Sequence, residues 1–437
     1  MTVSGWFVAL LLVGVVPVVL LDGVPGLLLW LAVVAVLTAI DVAIAGSPRG
    51  LRFERTAPAR ARLGETVETS LLVTNVGRRP VRGVLRDAWQ PSAGAKPSRQ
   101  PVRLPARERR RFRTTLTPVR RGERRAAQVT VRSFGPLRLA ARQASIRVPG
   151  AVRVLPPFNS RKHLPSRLAR LRELDGRTSV MVRGQGTEFD SLREFVRGDD
   201  VRSIDWRATA RRRDPAGGGA TLVVRTWRPE RDRRVVIVVD SGRTSAARIA
   251  DEPRIDTSFE SSLLLGALAT RAGDHVDLLV FDRAVRGRVQ GASGAQLLAR
   301  MVDAMAPIEP QLIETDWDAV PGLVRQVTSR HALVVLLTSI DAPGASRELL
   351  AMLPQLTRRH TVVVASVADP DVLAATRERG DREQVYRAAA GERALLDAAR
   401  VAAAIRQTGA EVVTAAPSDL PPALADTYLA LKAAGRL

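Results

Sequence analysis

The stretch with the densest set of potentially reactive side chains is GDDVRSIDWRATARR, residues 198–212. Asp199, Asp200 and Asp205 alternate there with arginines around Trp206. Two carboxylates can act as general acid and base, but such a dyad needs a pocket and a further partner, and this segment has no His or Cys. Opposite charges at these separations can instead form bidentate ion pairs. We therefore predict a structural latch between two modules of the chain, with Trp206 plugging an apolar surface rather than stacking on a nucleic-acid base.

A second set of oxygen-bearing side chains follows three buried strand patterns further along the chain. The patterns are RRVVIVVD, HVDLLVFD and ALVVLLTS, which end at Asp240, Asp282 and Ser339. In open α/β sheets, ligands bind at the carboxyl ends of the strands, so these residues mark the expected functional edge. No glycine-rich phosphate loop follows the first strand, and no G-x-S-x-G motif is present. Both absences argue against nucleotide binding by a phosphate loop and against an α/β-hydrolase.

The elements that must position this edge alternate regularly from residue 234 to residue 437. Helix patterns lie between the strand patterns, over 258–271, 295–305, 316–329 and 346–359, and a fourth strand pattern follows at 361–367. Strands that are apolar on both faces and separated by helices indicate a doubly wound parallel sheet. We predict a C-terminal α/β domain over 234–437, preceded by a linker that carries the acid-rich segment, over 158–233.

The region 49–157 has a different periodicity. Short runs such as ETVETSLLVTNVG and AAQVTVRSFGPL alternate polar and apolar residues between Gly, Asn and Pro. This pattern is typical of antiparallel strands, and several of them within about a hundred residues suggest an immunoglobulin-like β-sandwich. We see no catalytic constellation in this region and expect it to act as a spacer, a membrane-proximal surface or a docking face.

Two apolar runs around a short turn form the first 48 residues. Each is about long enough to cross the hydrocarbon core of a bilayer, which predicts a transmembrane helical hairpin. A cleaved signal peptide is the competing interpretation, but the amino terminus has no Lys or Arg and the apolar stretch is long. Arginines crowd the exit of the second run, at 49, 52, 55, 60 and 62, so the positive-inside rule places the remaining domains in the cytoplasm.

The composition limits the remaining possibilities. The 437 residues include no cysteine, which excludes disulfides and thiolate chemistry. The four histidines lack the spacing of metal ligands. The formal charge is +23, and residues 78–125 contain sixteen Lys or Arg against three acids. Such a region attracts phosphate from nucleic acid or anionic lipid, or is simply a solvated basic face. Only Trp89 and Phe112 could stack on bases there, so nucleic-acid binding is not expected.

The predicted sheet edge resembles a von Willebrand factor type A domain, in which the first strand ends in D-x-S-x-S and holds a divalent cation. Asp240 matches the leading aspartate, Gly242 replaces the first serine and Thr244 replaces the second. Ser339 stands where that family has an aspartate, and Asp341 follows two residues later. The resemblance implies a degenerate Mg²⁺ site at Asp240, Thr244 and Asp341, or a retained fold whose site is lost or weakened.

The acid-rich segment closely resembles the signature of the bacterial domain of unknown function 58 family. The matching residues include Gly186, Glu188, Phe189, Arg193, Gly198, Asp199, Asp200, Arg202, Asp205 and Trp206. The resemblance extends over almost the full length, since family members combine two membrane helices, a strand-rich region, the signature and a type A-like domain. It implies work alongside MoxR-type AAA ATPases in the assembly or maturation of other proteins.

These observations favour a membrane-anchored adapter or scaffold without catalytic residues. The first alternative is a basic, membrane-tethered protein that binds nucleic acid or anionic lipid through residues 78–125. The second is a cation-dependent enzyme that uses the degenerate site at Asp240.

Overall fold

The computed structural model describes residues 2–20, 23–181, 188–196, 199, 201–211, 222–228, 233–341, 344 and 346–437, with the backbone alone at 175–181, 188–191 and 226–228. The chain divides into two compact units, Met1–Pro157 and Phe158–Leu437.

The first unit begins with a short strand and three apolar helices. They are β1 (Thr2–Val3), α1 (Gly5–Val13), α2 (Val15–Leu20) and α3 (Val24–Ile44). The α3 region is long and apolar enough to cross a membrane, whereas the stretch Gly5–Leu20 is shorter. The two stretches pack closely, because the Trp30 indole donates to the Leu10 carbonyl at 3.1 Å and lies where a side chain at Gly14 would stand.

The rest of the first unit consists of strands, as its alternating sequence predicts. They are β2 (Leu51–Thr56), β3 (Arg60–Arg62), β4 (Val67–Asn75), β5 (Val81–Trp89), β6 (Ala95–Lys96), β7 (Gln100–Leu104), β8 (Arg109–Leu116), β9 (Gly122–Phe134) and β10 (Ala140–Leu155). One sheet has the order β1-β10-β9-β5-β7, with β3 beside β10, and the other has the order β2-β4-β8-β6. Inward-facing residues of both sheets, such as Val73, Phe112 and Val131, form a common core, so the strands build a sandwich.

A buried ion pair joins the two sheets. Arg55 on β2 donates to both carboxylate oxygens of Asp87 on β5, at 2.8 and 2.7 Å, and the Trp89 indole donates to the same carboxylate at 3.0 Å. Arg55 therefore belongs to the core and not to the exposed arginines that follow the apolar helices. Trp89 and Phe112 are also buried, so neither aromatic ring can stack on a base.

A second buried carboxylate connects α3 to the strands. Asp41 is fully buried, and its oxygens accept hydrogen bonds from the backbone N–H groups of Leu137, Leu139 and Ala140. The start of the chain binds the same turn, since the Ser4 N–H donates to the Leu139 carbonyl at 3.0 Å. The end of α3 is thus fixed to the β9–β10 turn by hydrogen bonds inside the fold.

The second unit contains the predicted α/β domain and additional elements that precede it in the chain. They are α4 (Leu164–Met181), β11 (Glu188–Glu194), α5 (Trp206–Arg211), β12 (Val223–Arg228), β13 (Arg234–Asp240), β14 (Arg248–Ile249), β15 (Glu252–Pro253), α6 (Arg254–Arg271), β16 (His275–Phe281), β17 (Val285–Val289), α7 (Gly294–Met305), α8 (Val320–Val327), β18 (Leu333–Leu337), α9 (Arg347–Thr357), β19 (Thr361–Val367), α10 (Pro370–Ala375), α11 (Arg382–Gln407), β20 (Glu411–Ala415) and α12 (Leu420–Ala433).

Six of these strands form one sheet in the order β17-β16-β13-β18-β19-β20. Five are parallel, and β17 pairs with β16 in the antiparallel direction. One face packs against α6, α7 and α12, and the other against α8, α9 and α11, so the sheet is covered on both sides. Its central strands are accordingly apolar at nearly every position.

The region expected to be a linker contributes to this core. Leu171 on α4 is 3% exposed and packs with the α6 and α12 side of the sheet, together with Phe158, Leu164 and Leu168. The apolar side chains of α4 therefore attach this helix to the domain. The Ser160 N–H also donates to the buried Glu260 carboxylate of α6, at 2.5 Å.

Candidate functional site

The candidate site is the carboxyl edge of the six-stranded sheet, where β13 ends at Asp240. This carboxylate is 4% exposed and accepts four hydrogen bonds. The Gly242 N–H and the Thr315 hydroxyl donate to Oδ1 at 2.8 and 2.5 Å. The Thr338 and Thr244 hydroxyls donate to Oδ2 at 2.7 and 3.3 Å. Both oxygens of Asp240 are thus held by groups from three different loops.

The glycine at 242 is required by this arrangement. A Cβ atom there would stand 2.3 Å from the Thr315 hydroxyl oxygen and 2.9 Å from the Ile313 carbonyl oxygen, well inside van der Waals contact. Thr315 therefore takes the space that a serine side chain would need. The departure from the D-x-S-x-S pattern at Gly242 follows from the packing of a loop that is distant in sequence.

A second carboxylate lies at the end of the neighbouring strand, β16. Asp282 accepts from the Ser241 hydroxyl at 3.0 Å and from the Arg286 guanidinium at 2.8 Å. Burial raises the pKa of Asp282, but hydrogen bonds from Arg286, from the Ala284 and Arg283 amides and from Ser241 outweigh burial and lower it below its usual value. Asp282 thus remains ionised and neutralises the cation beside it.

The third predicted ligand, Asp341, makes an ion pair with Arg254 at the start of α6. The Arg254 side chain is 11% exposed, whereas that of Asp341 is 52% exposed. The pair fixes the loop after β18 to α6.

The oxygen atoms around Asp240 suit a hard cation by type, since Mg²⁺ takes carboxylate, hydroxyl and water oxygens. They include one carboxylate, and its two oxygens are already accepting hydrogen bonds. Within the ranges that the structure describes, no group of three or more His, Cys, Asp or Glu is arranged to hold a metal ion. A Mg²⁺ site at Asp240, Thr244 and Asp341 stays a prediction, and a single carboxylate would hold the ion weakly.

Two residues of this edge were missed in the sequence. Thr338 directly follows β18, whereas the strand pattern ends at its neighbour Ser339, because the end of a strand cannot be assigned to a single residue from sequence. Thr315 lies in the loop after α7, where no local pattern distinguishes it. Only the folded chain brings its hydroxyl to Asp240.

The family signature forms a small substructure of its own. Strands β11 and β12 pair in the antiparallel direction, and α5 and a 3-10 turn at Val201–Ser203 pack beside β12. Gly186, Gly198 and Asp200 lie outside the described residues, and only the backbone of Glu188 and Phe189 is described. Arg202 is exposed on the 3-10 turn.

The predicted charge pairs form within this substructure. Arg193 donates to both oxygens of Asp199, at 2.7 and 2.5 Å, and the Asp205 carboxylate accepts from Arg225 on β12 at 2.7 Å. Hydrogen bonds from the Ala208 amide and from Arg225 lower the pKa of Asp205 in spite of partial desolvation. These described pairs connect one part of the signature to another.

The prediction that Trp206 plugs an apolar surface is wrong. Its side chain is 67% exposed, whereas Ile204 and Thr209 are buried. Trp206 is the first residue of α5, whose side towards β12 is taken by Thr209, and the Thr209 hydroxyl accepts from the Val223 N–H at 3.1 Å. The six residues of α5 offer no further buried position for an indole ring.

Comparisons with known proteins agree on one part of the chain. Residues 191–378 match the family model described as "Protein of unknown function DUF58". The chain is 25% identical over 193 residues to uncharacterised proteins of Mycobacterium tuberculosis, Rv1480, and Mycobacterium bovis, Mb1516. The alignment covers 44% of this chain and 57% of each relative, so the chain spans little more than half the length of the curated relatives it matches.

Solved structures give weaker likenesses. The SpRpn10 VWA domain is 9% identical, with 45% of this chain and 94% of that domain covered and a TM-score of 0.29. The CARDB domain of the PF1109 protein from Pyrococcus furiosus is 18% identical, with 24% and 91% covered and a TM-score of 0.18. At TM-scores this low, neither likeness carries weight. The family match begins inside β11 and ends after α10, and over residues 191–378 the chain is similar to the DUF58 family of proteins of unknown function.

Proposed function

We propose that this protein is a membrane-anchored, non-enzymatic adapter that docks a protein partner at the carboxyl edge of its α/β sheet. The partner class implied by the signature is a MoxR-type AAA ATPase. The observation that carries the proposal is the hydrogen bonding of Asp240, whose two oxygens each accept from two donors. A carboxylate held in this way has no free position from which to take a proton from a substrate.

The anchor rests on the apolar helices of the first unit. In this proposal α3 crosses the membrane, and Gly5–Leu20 forms a second span beside it; its sixteen residues would measure about 24 Å as a helix. The contact of Trp30 with Gly14 supports two adjacent spans. The exposed arginines that follow α3, among them Arg49, Arg52 and Arg62, favour a cytoplasmic position for the remaining domains.

The docking edge has an apolar residue that projects from its rim. Leu312 is 82% exposed in a loop whose neighbours hold it against the strand ends. The Gln311 N–H donates to the Ser241 carbonyl at 2.7 Å, and the Ile313 carbonyl accepts from the Arg243 N–H at 2.8 Å. A fixed, exposed leucine beside a charged pair, Arg243 with Glu314, has the character of an interface centre with a polar rim.

The test is affinity capture of the full chain from detergent extract, with Mg²⁺ and ATP present, followed by mass spectrometry. We expect the wild-type chain to retain a MoxR-type ATPase and the Leu312→Ser chain to lose most of it. Leu396→Ser is the matched control, since Leu396 is 56% exposed on α11 and does not belong to the loops that carry Asp240 and Leu312. Surface substitutions of this kind leave stability nearly unchanged.

Two results would contradict the adapter proposal. The first is a wild-type chain that captures no AAA ATPase with or without nucleotide. The second is equal retention by Leu312→Ser and wild type, which would move the interface away from the sheet edge. Isothermal titration of Mg²⁺ into the full chain, compared with Asp240→Asn, decides separately whether the edge also binds a cation.

A second candidate function is binding of anionic lipid by the basic strands of the first unit. Three arginines of β8, at positions 109, 110 and 111, are exposed, as is Arg113 two residues later. Because Trp89 and Phe112 are buried, lipid phosphate fits this face better than single-stranded nucleic acid. Affinity for phosphatidylserine vesicles that barely changes between about 50 and 200 mM salt would exclude this function.

A further inference from the structure

The signature substructure places apolar side chains in solvent. Leu192, Val196, Val201 and Trp206 are 41%, 61%, 65% and 67% exposed. Three of the four are close in sequence. The Asp199 N–H donates to the Val196 carbonyl, and the 3-10 turn that begins at Val201 is closed by a hydrogen bond from the Ile204 N–H to the Val201 carbonyl. Trp206 begins α5. We call Val196, Val201 and Trp206 the signature loop.

The polar residues of the signature hold this loop in shape. Asp199 receives two bonds from Arg193 and a third from the Val196 N–H at 2.8 Å. Asp205 accepts from the Arg207 and Ala208 amides at 2.9 and 3.0 Å and from Arg225. Each carboxylate therefore fixes the backbone next to an exposed apolar residue. A fixed loop loses little conformational entropy when it binds, which favours tight recognition.

We propose that the signature loop is a docking surface for an acidic, amphipathic segment of a protein partner. Tryptophan and arginine are the residue types most enriched at the energetic centres of protein interfaces. Here Trp206 is followed on α5 by Arg207 and Arg211, both exposed. Exposed apolar side chains with cations nearby in the chain are complementary to a segment that alternates apolar side chains with Asp or Glu.

The composition of the loop favours protein over nucleic acid. Single-stranded nucleic acid binds to platforms on which several aromatic rings stack with successive bases. The described signature surface has one exposed aromatic ring and three aliphatic side chains, which pack well against Leu, Ile or Val of a partner. This docking surface is separate from the sheet edge, and the inference does not depend on the identity of the partner proposed there.

The test uses the full chain in nanodiscs of phosphatidylcholine, which avoids detergent at the apolar loop. The probes are two fluorescent helical peptides with the same Leu and Ile positions, one with Glu and one with Lys at the remaining sites. We expect the Glu peptide to bind and the Lys peptide not to bind. Trp206→Ala should lower the affinity for the Glu peptide about tenfold or more. Arg207→Glu should also lower this affinity, and its effect should grow as the salt concentration is lowered.

Tyr386→Ala is the matched control. Tyr386 on α11 is 64% exposed and has Arg382 over its ring at 5.6 Å, so it presents an aromatic residue and a cation outside the signature. Its substitution should leave affinity unchanged. Val201→Ser serves as a second signature variant, and an unchanged melting temperature shows that each variant is folded.

Four results would overturn the assignment. The first two are no binding of the Glu peptide and equal binding of the Glu and Lys peptides. The third is an equal loss of affinity for the Glu peptide in Trp206→Ala and Tyr386→Ala. The fourth is a Trp206→Ala chain that loses affinity only for a dT₁₅ oligonucleotide or for phosphatidylserine nanodiscs, used as competing ligands, and not for the Glu peptide. The adapter proposal survives each of them, because it is tested through Leu312 and the captured ATPase.

Discussion

The sheet edge and the signature loop use the same residue types in opposite ways. At the edge, Asp240 gathers hydroxyl and amide donors from loops that are distant in sequence and is 4% exposed. In the signature, Asp199 and Asp205 bind arginines and amides a few residues away, or one strand away, and leave Val201 and Trp206 in solvent. Carboxylates stabilise the tertiary fold in the first region and the shape of a surface loop in the second.

The largest expected effect comes from removing the central carboxylate of the edge. Asp240→Ala leaves the Thr315 and Thr338 hydroxyls and the Gly242 amide without their acceptor in a buried position. We expect the free energy of opening of β13 to fall by about 3 kcal/mol, since each orphaned buried group costs roughly 1–3 kcal/mol and relaxation recovers part of the total. Native-state hydrogen exchange of the β13 amides in the full chain measures it.

Thr244→Val is the control for this prediction. The Thr244 hydroxyl donates to Asp240 over 3.3 Å, a longer bond than that of Thr338, so its loss should cost much less. Equal effects of Asp240→Ala and Thr244→Val would mean that the hydrogen bonds around Asp240 do not stabilise the sheet edge.

The next effect concerns the glycine that departs from the cation-binding pattern. Gly242→Ser should destabilise the domain by about 2 kcal/mol, because the added Cβ meets the Thr315 hydroxyl oxygen at 2.3 Å. The double variant Gly242→Ser with Thr315→Ala should recover part of that loss. Thermal unfolding of the four chains in a double-mutant cycle gives the coupling, and strict additivity would show that Thr315 does not exclude a side chain at position 242.

The share of the structure that can be predicted from the sequence differs between these two regions. The apolar strands β13, β16, β18 and β19 and most of the surrounding helices follow from periodicity, because burial on both faces imposes it. The antiparallel edge strand β17 does not follow from periodicity. Its five residues, Val285–Val289, include two arginines and a glycine, so no apolar run distinguishes it from a loop.

The sites were less predictable than the fold. Asp240 could be placed because it ends an apolar strand, but Thr315 is brought to it by a loop whose conformation is not encoded in a local pattern. In the signature, the spacing of opposite charges correctly suggested ion pairs. It could not show that those pairs are internal, or that Trp206 is left exposed, because exposure depends on which neighbours α5 meets in the folded chain.

A smaller and local effect is expected in the signature. Asp205→Ala removes the acceptor of the Arg207 and Ala208 amides, so these amides should exchange severalfold faster while those of β13 are unchanged. Hydrogen exchange with residue resolution measures both sets in one experiment. Faster exchange in β13 as well would mean that the signature and the sheet open together, and the contrast between the two regions would then fail.

The smallest expected effect distinguishes the two regions by the sign of their pH dependence. Burial raises the pKa of Glu252, near the start of α6. The hydrogen bond from Thr257 lowers this pKa, and the charges of Glu260 and Asp256 raise it, so the net shift is upward. The folded chain therefore keeps a proton that the unfolded chain releases, and stability falls as pH rises from about 4.5 through the raised pKa. Glu252→Gln, which can still accept from Thr257, should flatten this slope in thermal melts.

Asp205 should behave in the opposite way, because its pKa is lowered. Its contribution is present above the ordinary pKa of about 3.8 and is lost as pH falls through the lowered value. Asp205→Asn should therefore differ from wild type at neutral pH and approach it in acid, whereas Glu252→Gln should match wild type in acid and exceed its stability at neutral pH. Slopes of the same sign would show that the two carboxyl groups have similar surroundings, against the contrast between the partly buried Glu252 near the start of α6 and the ion-paired Asp205 of the signature.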